Sequence, residues 1–129
     1  MKPDDRLTWI KSNGDVLNQD IAAANNSVYY AEIPVGRALG FGVTLDWDAT
    51  EVASYTLEST NNHQLTAYTT STTSGWKSQA TALGTIAAAA ALGCGEWQVS
   101  DARSTRWRIK RDVTTGGVAT AHSGPAKGN

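Results

Sequence analysis

The 129-residue sequence is poor in most of the features that declare a chemistry. Its one cysteine, Cys94, cannot close an intramolecular disulfide, and neither a Cys-x-x-Cys pair nor a zinc-ligand spacing is present. Cys94 therefore reads as a small packed residue or an idle thiol. No stretch approaches the length of apolar run that crosses a bilayer, and Met1-Lys2-Pro3-Asp4-Asp5 opens without the apolar region of a secretion signal. The expectation is a protein made and used in soluble form, with no membrane as partner. Charge of one sign is lacking too: 11 basic and 12 acidic side chains leave a net charge of −1. That balance gives no global attraction to nucleic acid.

Catalytic signatures are equally scarce. There is no Gly-x-Ser-x-Gly elbow and no Cys/His pairing with a recognisable local pattern. Gly36, Gly40 and Gly42 fit neither the Walker nor the dinucleotide fingerprint. His63 and His122 are the only imidazoles, one after a turn and one ending a strand. Asp46 and Asp48 point to the same strand face and would suit a cation, but the ligand series of a calcium loop is missing, and two solvated acids beside a turn are the plainer reading. The residues predict no enzyme, no cofactor and no metal.

What is abundant is Thr, Ser, Gly, Val and aromatic residues, against few Glu, Lys and Leu, and that balance favours strands over helices. From Leu39 to Asp48 the order alternates, placing Leu39, Phe41, Val43, Leu45 and Trp47 on one face and Gly40, Gly42, Thr44, Asp46 and Asp48 on the other. Shorter alternations at Val28 to Ile33 and Ala53 to Ser59 end in breakers, Pro34-Val35-Gly36 and Asn61-Asn62. Further strands are predicted at Leu65 to Thr70, Gly95 to Val99, Arg106 to Arg111 and Gly117 to His122. The run Ala87 to Ala91 favours helix intrinsically but is fenced by Gly84, Gly93 and Gly95, so a helical turn or a loop is expected there. The fold class that results is all-β: an antiparallel β-sandwich, jelly-roll-like, in a single domain. Residues 1–27 read as a flexible N-terminal arm, 28–122 as the sandwich, and 123–129 as a flexible tail.

Two features are candidates for an interface. Arg103 to Arg111 carries five of the eleven cations, and as a strand it turns Trp107 and Ile109 inward and sets Arg106, Arg108 and Lys110 in an outward row. Such a row meets nucleic acid or an acidic protein surface, with the missing global basicity arguing against nucleic acid, or it is a solvated face or a charged strand edge. Five Trp is a high count for this length. Trp47, Trp97 and Trp107 fall on apolar faces, while Trp9 and Trp76 stand in polar, turn-like surroundings and read as interface or sugar-stacking residues, or as caps over the core.

The order of motifs in the C-terminal half is informative: Tyr55-Thr-Leu-Glu-Ser-Thr-Asn-Asn62, Ser74-Gly-Trp-Lys77, Glu96-Trp-Gln-Val-Ser-Asp-Ala102, Arg106-Trp-Arg-Ile-Lys-Arg111 and Thr115-Gly-Gly-Val-Ala-Thr-Ala121. This series resembles a small β-sandwich domain found in virion proteins of tailed bacteriophages. It departs from that pattern at Thr60-Asn61-Asn62 and in the Ala-rich insertion before Trp97. The resemblance implies a virion structural protein made in the bacterial host cytoplasm. It would be a capsid decoration (cement) protein on the major capsid protein lattice, assembled there as a homo-oligomer such as a trimer. The alternatives are a tail or fibre component and, outside virions, a lectin-like carbohydrate-binding module.

Overall fold

The computed structural model describes residues 6–18, 20–35, 40–70, 75–100, 102 and 104–125. Alternating sequences become strands as expected: β3 spans Ser27–Ile33, β4 Phe41–Trp47, β5 Val52–Thr60, β8 Gly93–Val99, β9 Arg106–Thr115 and β10 Ala119–Pro125. Two short strands, β1 (Trp9–Lys11) and β2 (Val16–Leu17), precede them, and β6 (Lys77–Ser78), a single helical turn α1 (Ala80–Leu83) and β7 (Thr85–Ala89) lie between β5 and β8.

Every pairing is antiparallel. The larger sheet runs β2-β1-β3-β9-β5, and the far side of β5 is shared by β7 along Val52–Thr56 and β6 at Glu58 and Ser59. The smaller sheet is β10-β4-β8. The two sheets pack face to face, an all-β sandwich. Phe41, Val43, Leu45 and Trp47 alternate inward from β4, as the pattern dictates, and meet Ala53, Tyr55 and Leu57 from β5 and Trp107, Ile109 and Val113 from β9. Aromatic pairs join the layers: Phe41 and Trp107 lie 5.2 Å apart between ring centroids, and Trp47 stacks on Tyr55 at 5.6 Å.

Several sequence expectations give way. Of the arm expected at residues 1–27, the described part, 6–18 and 20–27, is built into the sandwich. Leu7 and Trp9 are buried, β1 pairs with β3, and Arg6 bridges His122; only 1–5 of the expected arm lie outside the described residues, apart from Gln19. The polar run hides three anchoring apolar positions, Leu7, Trp9 and Ala23, too widely spaced to show a period. The expected tail at 123–129 likewise begins inside β10, whose Ser123, Gly124 and Pro125 pair with Val43, Gly42 and Phe41; 126–129 lie outside the described residues, as do Leu39 and Arg103.

The Ala run is strand, not helix or loop. Ala87, Ala88 and Ala89 pair with Ser54, Ala53 and Val52, because tertiary pairing with β5 outweighs the small intrinsic preference of alanine. The strand then turns at Ala90, whose φ of 57° is a left-handed conformation unusual for a residue with a Cβ. Leu65 to Thr70, expected as a strand, is instead a chain of turns lying over the larger sheet.

The connection from β9 to β10 needs glycine for close approach. A Cβ on Gly116 would stand 1.6 Å from the Ala23 carbonyl oxygen, and one on Gly117 2.2 Å from Asp48 Oδ1. Two substitutions test this account in urea melts. Trp107→Ala should lose about 3–5 kcal/mol as a buried indole is deleted. Ala90→Gly should gain about 0.5–1 kcal/mol by relieving the left-handed strain.

Candidate functional site

Strand β9 places cations on both faces of the larger sheet. Arg106, Arg108 and Lys110 do project away from the sandwich interior, as the alternation requires, but β9 is a central strand between β3 and β5. Across the ladder Arg108 faces Glu32 on β3 and Glu58 on β5. The carboxylates are taken up accordingly. Arg106 donates through Nε and Nη2 to Glu32 at 2.9 and 2.7 Å, and Arg108 donates through Nε to Glu58 Oε1 at 2.8 Å. Arg108 Nη2 also lies 2.7 Å from that oxygen, an ionic contact outside hydrogen-bond geometry.

The turns at 61–70 fold down on this row. Arg106 Nη1 donates to the carbonyls of Asn62 and Leu65 (3.0 and 2.6 Å), and Arg108 Nη1 to those of Ala67 and Thr69 (3.1 and 2.6 Å). Trp76 closes the cover. Its Nε1 donates to Thr66 O, and its ring lies 4.3 Å from the Arg108 guanidinium carbon, which has Tyr30 at 3.9 Å. Glu32 bonding raises the Arg106 pKa, whereas burial lowers that of Arg108 against the pull of Glu58. Arginine has far to fall, so both stay charged.

This corrects the candidate interface. Arg108 is fully buried, Arg106 is ion-paired and largely covered, and neither presents a free charge. Trp76, only 2 % exposed, is the lid of this cluster. Trp9 is 0 % exposed, donates from Nε1 to Ala119 O at 2.9 Å and so ties β1 to β10. Of the five residues, Lys110 alone has a half-exposed side chain with no carboxylate partner among the described residues. Alternation could find the outward face, but not the chain segment that covers it.

The inner face of β9 holds a group that the sequence reading passed over. Arg111 follows Trp107 and Ile109 in the inward series and is fully buried. Its Nε and Nη2 grip Glu51 at 2.8 and 3.0 Å, and Nη2 also donates to Gly117 O. Glu51 accepts in addition from the Tyr55 hydroxyl at 2.5 Å and the Gly117 amide at 2.9 Å. Arg111 Nη1 has no hydrogen-bond partner among the described residues; the rings of Trp9 and Tyr29, 5.1 and 5.5 Å from the guanidinium carbon, supply electrostatic compensation. The signal was legible in principle, since a cation at an inward position demands a buried acid.

Asp48 braces the same corner, accepting from the amides of Thr50, Glu51 and Val118. Its carboxylate is thereby engaged by three backbone amides. Among the described residues no group of three or more His, Cys, Asp or Glu side chains converges to hold a metal. His63 meets the Thr105 hydroxyl (3.2 Å), and Cys94 is a free thiol exposed on β8.

No protein-family model matches the chain, and no curated protein matches it.

Two polar groups set the expected pH dependence. The amide of Val118, then those of Thr50 and Glu51, hold the Asp48 carboxyl below its ordinary value of 3.8. Its contribution to stability is present above that value and lost as pH falls through the lower folded-state one, so Asp48→Asn should flatten the acid limb of stability against pH. Burial, followed by the bond to Glu51, pushes the Tyr55 hydroxyl well above its ordinary 10.0. That contribution is present below pH 10 and lost at higher pH, so Tyr55→Phe should flatten the alkaline limb. Glu51→Ala should cost about 3–5 kcal/mol, because it strands a buried guanidinium. Glu51→Leu combined with Arg111→Met should recover only part of this in chemical melts, since the Gly117 amide and carbonyl would still lack partners.

Proposed function

We propose that the chain is a structural protein of a bacteriophage virion, in the first place a capsid decoration protein docked on the major capsid protein lattice as a homo-oligomer. The motif series from Tyr55 to Ala121 supports the virion setting. One observation supports the assembly role: the side of the sandwich at β7 and β8 combines unpaired strand edges with a rigidly held apolar turn.

Among the described residues, strand β7 pairs only with β5, and β8 only with β4. Ala90 donates to Glu51 O in register with the β5–β7 ladder, so the backbone groups of Ile86 and Ala88 also face β5. Those of Thr85, Ala87 and Ala89 then face outward, with no strand partner among the described residues. No Lys or Pro, the usual guards of an open edge, stands on β7. Between the two edges Leu92 is 81 % exposed, on a turn pinned by the Trp47 Nε1 bond to Ala91 O at 3.0 Å. A preorganised apolar knob beside free main-chain donors suits docking by strand addition.

A tail or fibre protein would use the same contacts at lower copy number. The lectin reading loses its stacking platform, because Trp9 and Trp76 are both buried.

Quantitative mass spectrometry of purified particles tests the proposal. Many copies per particle support decoration, few support a tail position, and none overturns both. Leu92→Asp and Ala87→Pro should each leave stability within about 1 kcal/mol, since both positions are exposed and the proline removes only an outward donor. Both should nevertheless lower particle occupancy; wild-type occupancy in both would remove this side as the interface.

A further inference from the structure

The edges of the two sheets differ in what they can accept. Among the described residues, the larger sheet ends on one side at β2, two residues long, and on the other at β7 and at β6, itself two residues long and carrying Lys77. The β10 edge is partly taken by the segment before β1, where Leu7 donates to Ala121 O and Arg6 bridges His122. Strand β8 is longer, but its central residue is the exposed Glu96, so a second β8 laid symmetrically along it would set two carboxylates opposite each other. That leaves β7, Thr85-Ile-Ala-Ala-Ala89, which carries no charge.

The outward backbone groups of β7 are spaced for a copy of themselves. Ala90 donates to Glu51 O in register with the ladder, so Ile86 and Ala88 turn their N–H and C=O groups to β5 while Thr85, Ala87 and Ala89 turn theirs away. An antiparallel second β7, related by a two-fold axis at Ala87, places Ala87 opposite its own copy and each Thr85 opposite Ala89 of the partner copy. All of these are hydrogen-bonded pairs that exchange both N–H···O=C bonds, and any slip of register breaks at least one of them. The side chains do not oppose the approach. On the outer face only alanine and threonine meet. On the inner face the half-buried Ile86 falls beside Ala88 of the partner copy, in the closer, non-hydrogen-bonded position. Ile86 is already backed by β8, since a Cβ on Gly95 would stand 2.7 Å from its Cγ2.

We infer that β7 is the contact between two copies of this chain, joined edge to edge into one continuous antiparallel sheet about a two-fold axis at Ala87. The inference rests on the assembly reading above, in that it names the occupant of one of the two edges on that side, and it leaves β8 and the Leu92 turn to the virion lattice. A two-fold contact closes on itself and gives a dimer, not a filament or a ring of three. A pairing five residues long falls short of the roughly 1,200 Å² buried in a stable interface, so the free dimer is weak. It strengthens when the lattice holds both copies close together.

Sedimentation velocity of the isolated chain, with no particles present, tests this. The wild type should show a monomer–dimer equilibrium with a dissociation constant between about 10 μM and 1 mM. Exchange of the Ala87 and Ala89 amide hydrogens should slow as concentration rises through that range. Ala87→Pro removes both bonds of the central pair and should weaken the dimer about tenfold or more. Ala87→Lys and Ala87→Glu each set like charges opposite one another and should weaken it several-fold at low salt, whereas an equimolar mixture of the two should return to the wild-type value or better. Thermal melts of the dilute variants should be unchanged, because Ala87 is exposed. Leu92→Asp should leave the dimer intact while lowering particle occupancy. The inference is overturned by a wild type that stays monomeric up to about 1 mM or sediments as a trimer, by a dimer that survives Ala87→Pro or is lost in Leu92→Asp, or by charge variants whose mixture associates no better than either alone. In each of these cases particle occupancy still tests virion docking by itself.

Discussion

The buried pair of Glu51 and Arg111 holds the two sheets in their relation to each other. Glu51 lies in the connection by which the chain leaves the smaller sheet after β4, and Gly117 in the connection by which it returns after β9. Arg111, on β9 itself, bonds to both. One guanidinium thus pins two sheet-crossing turns to the central strand of the larger sheet. The surrounding contacts depend on that arrangement: Tyr55 reaches Glu51, Asp48 locks to Val118, and Trp9 covers the guanidinium while bonding to β10. Such a pair is poor evidence for stability, because dehydrating both ions costs much of what their attraction returns. Its value here is positional. An apolar pair could fill the volume, but it could not satisfy the amide and carbonyl of Gly117, and the absence of a Cβ at Gly117 is what lets the two turns approach.

A second ionic layer works differently. On the outer face of the larger sheet, Arg106 and Arg108 are matched across the ladder by Glu32 and Glu58 and then use their remaining donors on carbonyls of the 61–70 turns. This segment has little apolar content with which to hold itself down. The arginines anchor it instead, with Trp76 stacked over them, so that the sheet is covered on both faces near Thr60 and Arg106. Glu58, Ser59 and Thr60 are accordingly buried although they lie at the end of an exposed-looking strand.

With Glu51, Glu58, Arg108 and Arg111 buried, the surface features that remain distinctive are few among the described residues. One side of the sandwich offers the β7 and β8 edges and the Leu92 turn, a combination suited to a protein partner met through main chain and a small apolar contact. It is built on elements fixed by the packing described above, and so would cost little ordering on docking.

The sequence by itself determined the strands whose side chains alternate: β4 above all, then β3, β5, β8, β9 and β10, together with the inward aromatics Trp47, Trp97 and Trp107. Period-two alternation is a local property, read from neighbours two residues apart, and it survives into the fold because each strand has one face on a common core. Tertiary structure alone decided the rest. Trp9–Lys11 and Val16–Leu17 became strands because a few widely spaced apolar side chains found the core edge, and Ala87–Ala89 became strand because β5 presented a ladder to join. The outward row of Arg106 and Arg108 became an interior cluster because a remote segment folded over it. Arg111 acquired its acid from a turn sixty residues away. None of these outcomes is carried by local pattern, since each depends on which distant backbone or carboxylate the fold brings within hydrogen-bond reach, and in a sandwich those partners come from across the sheets.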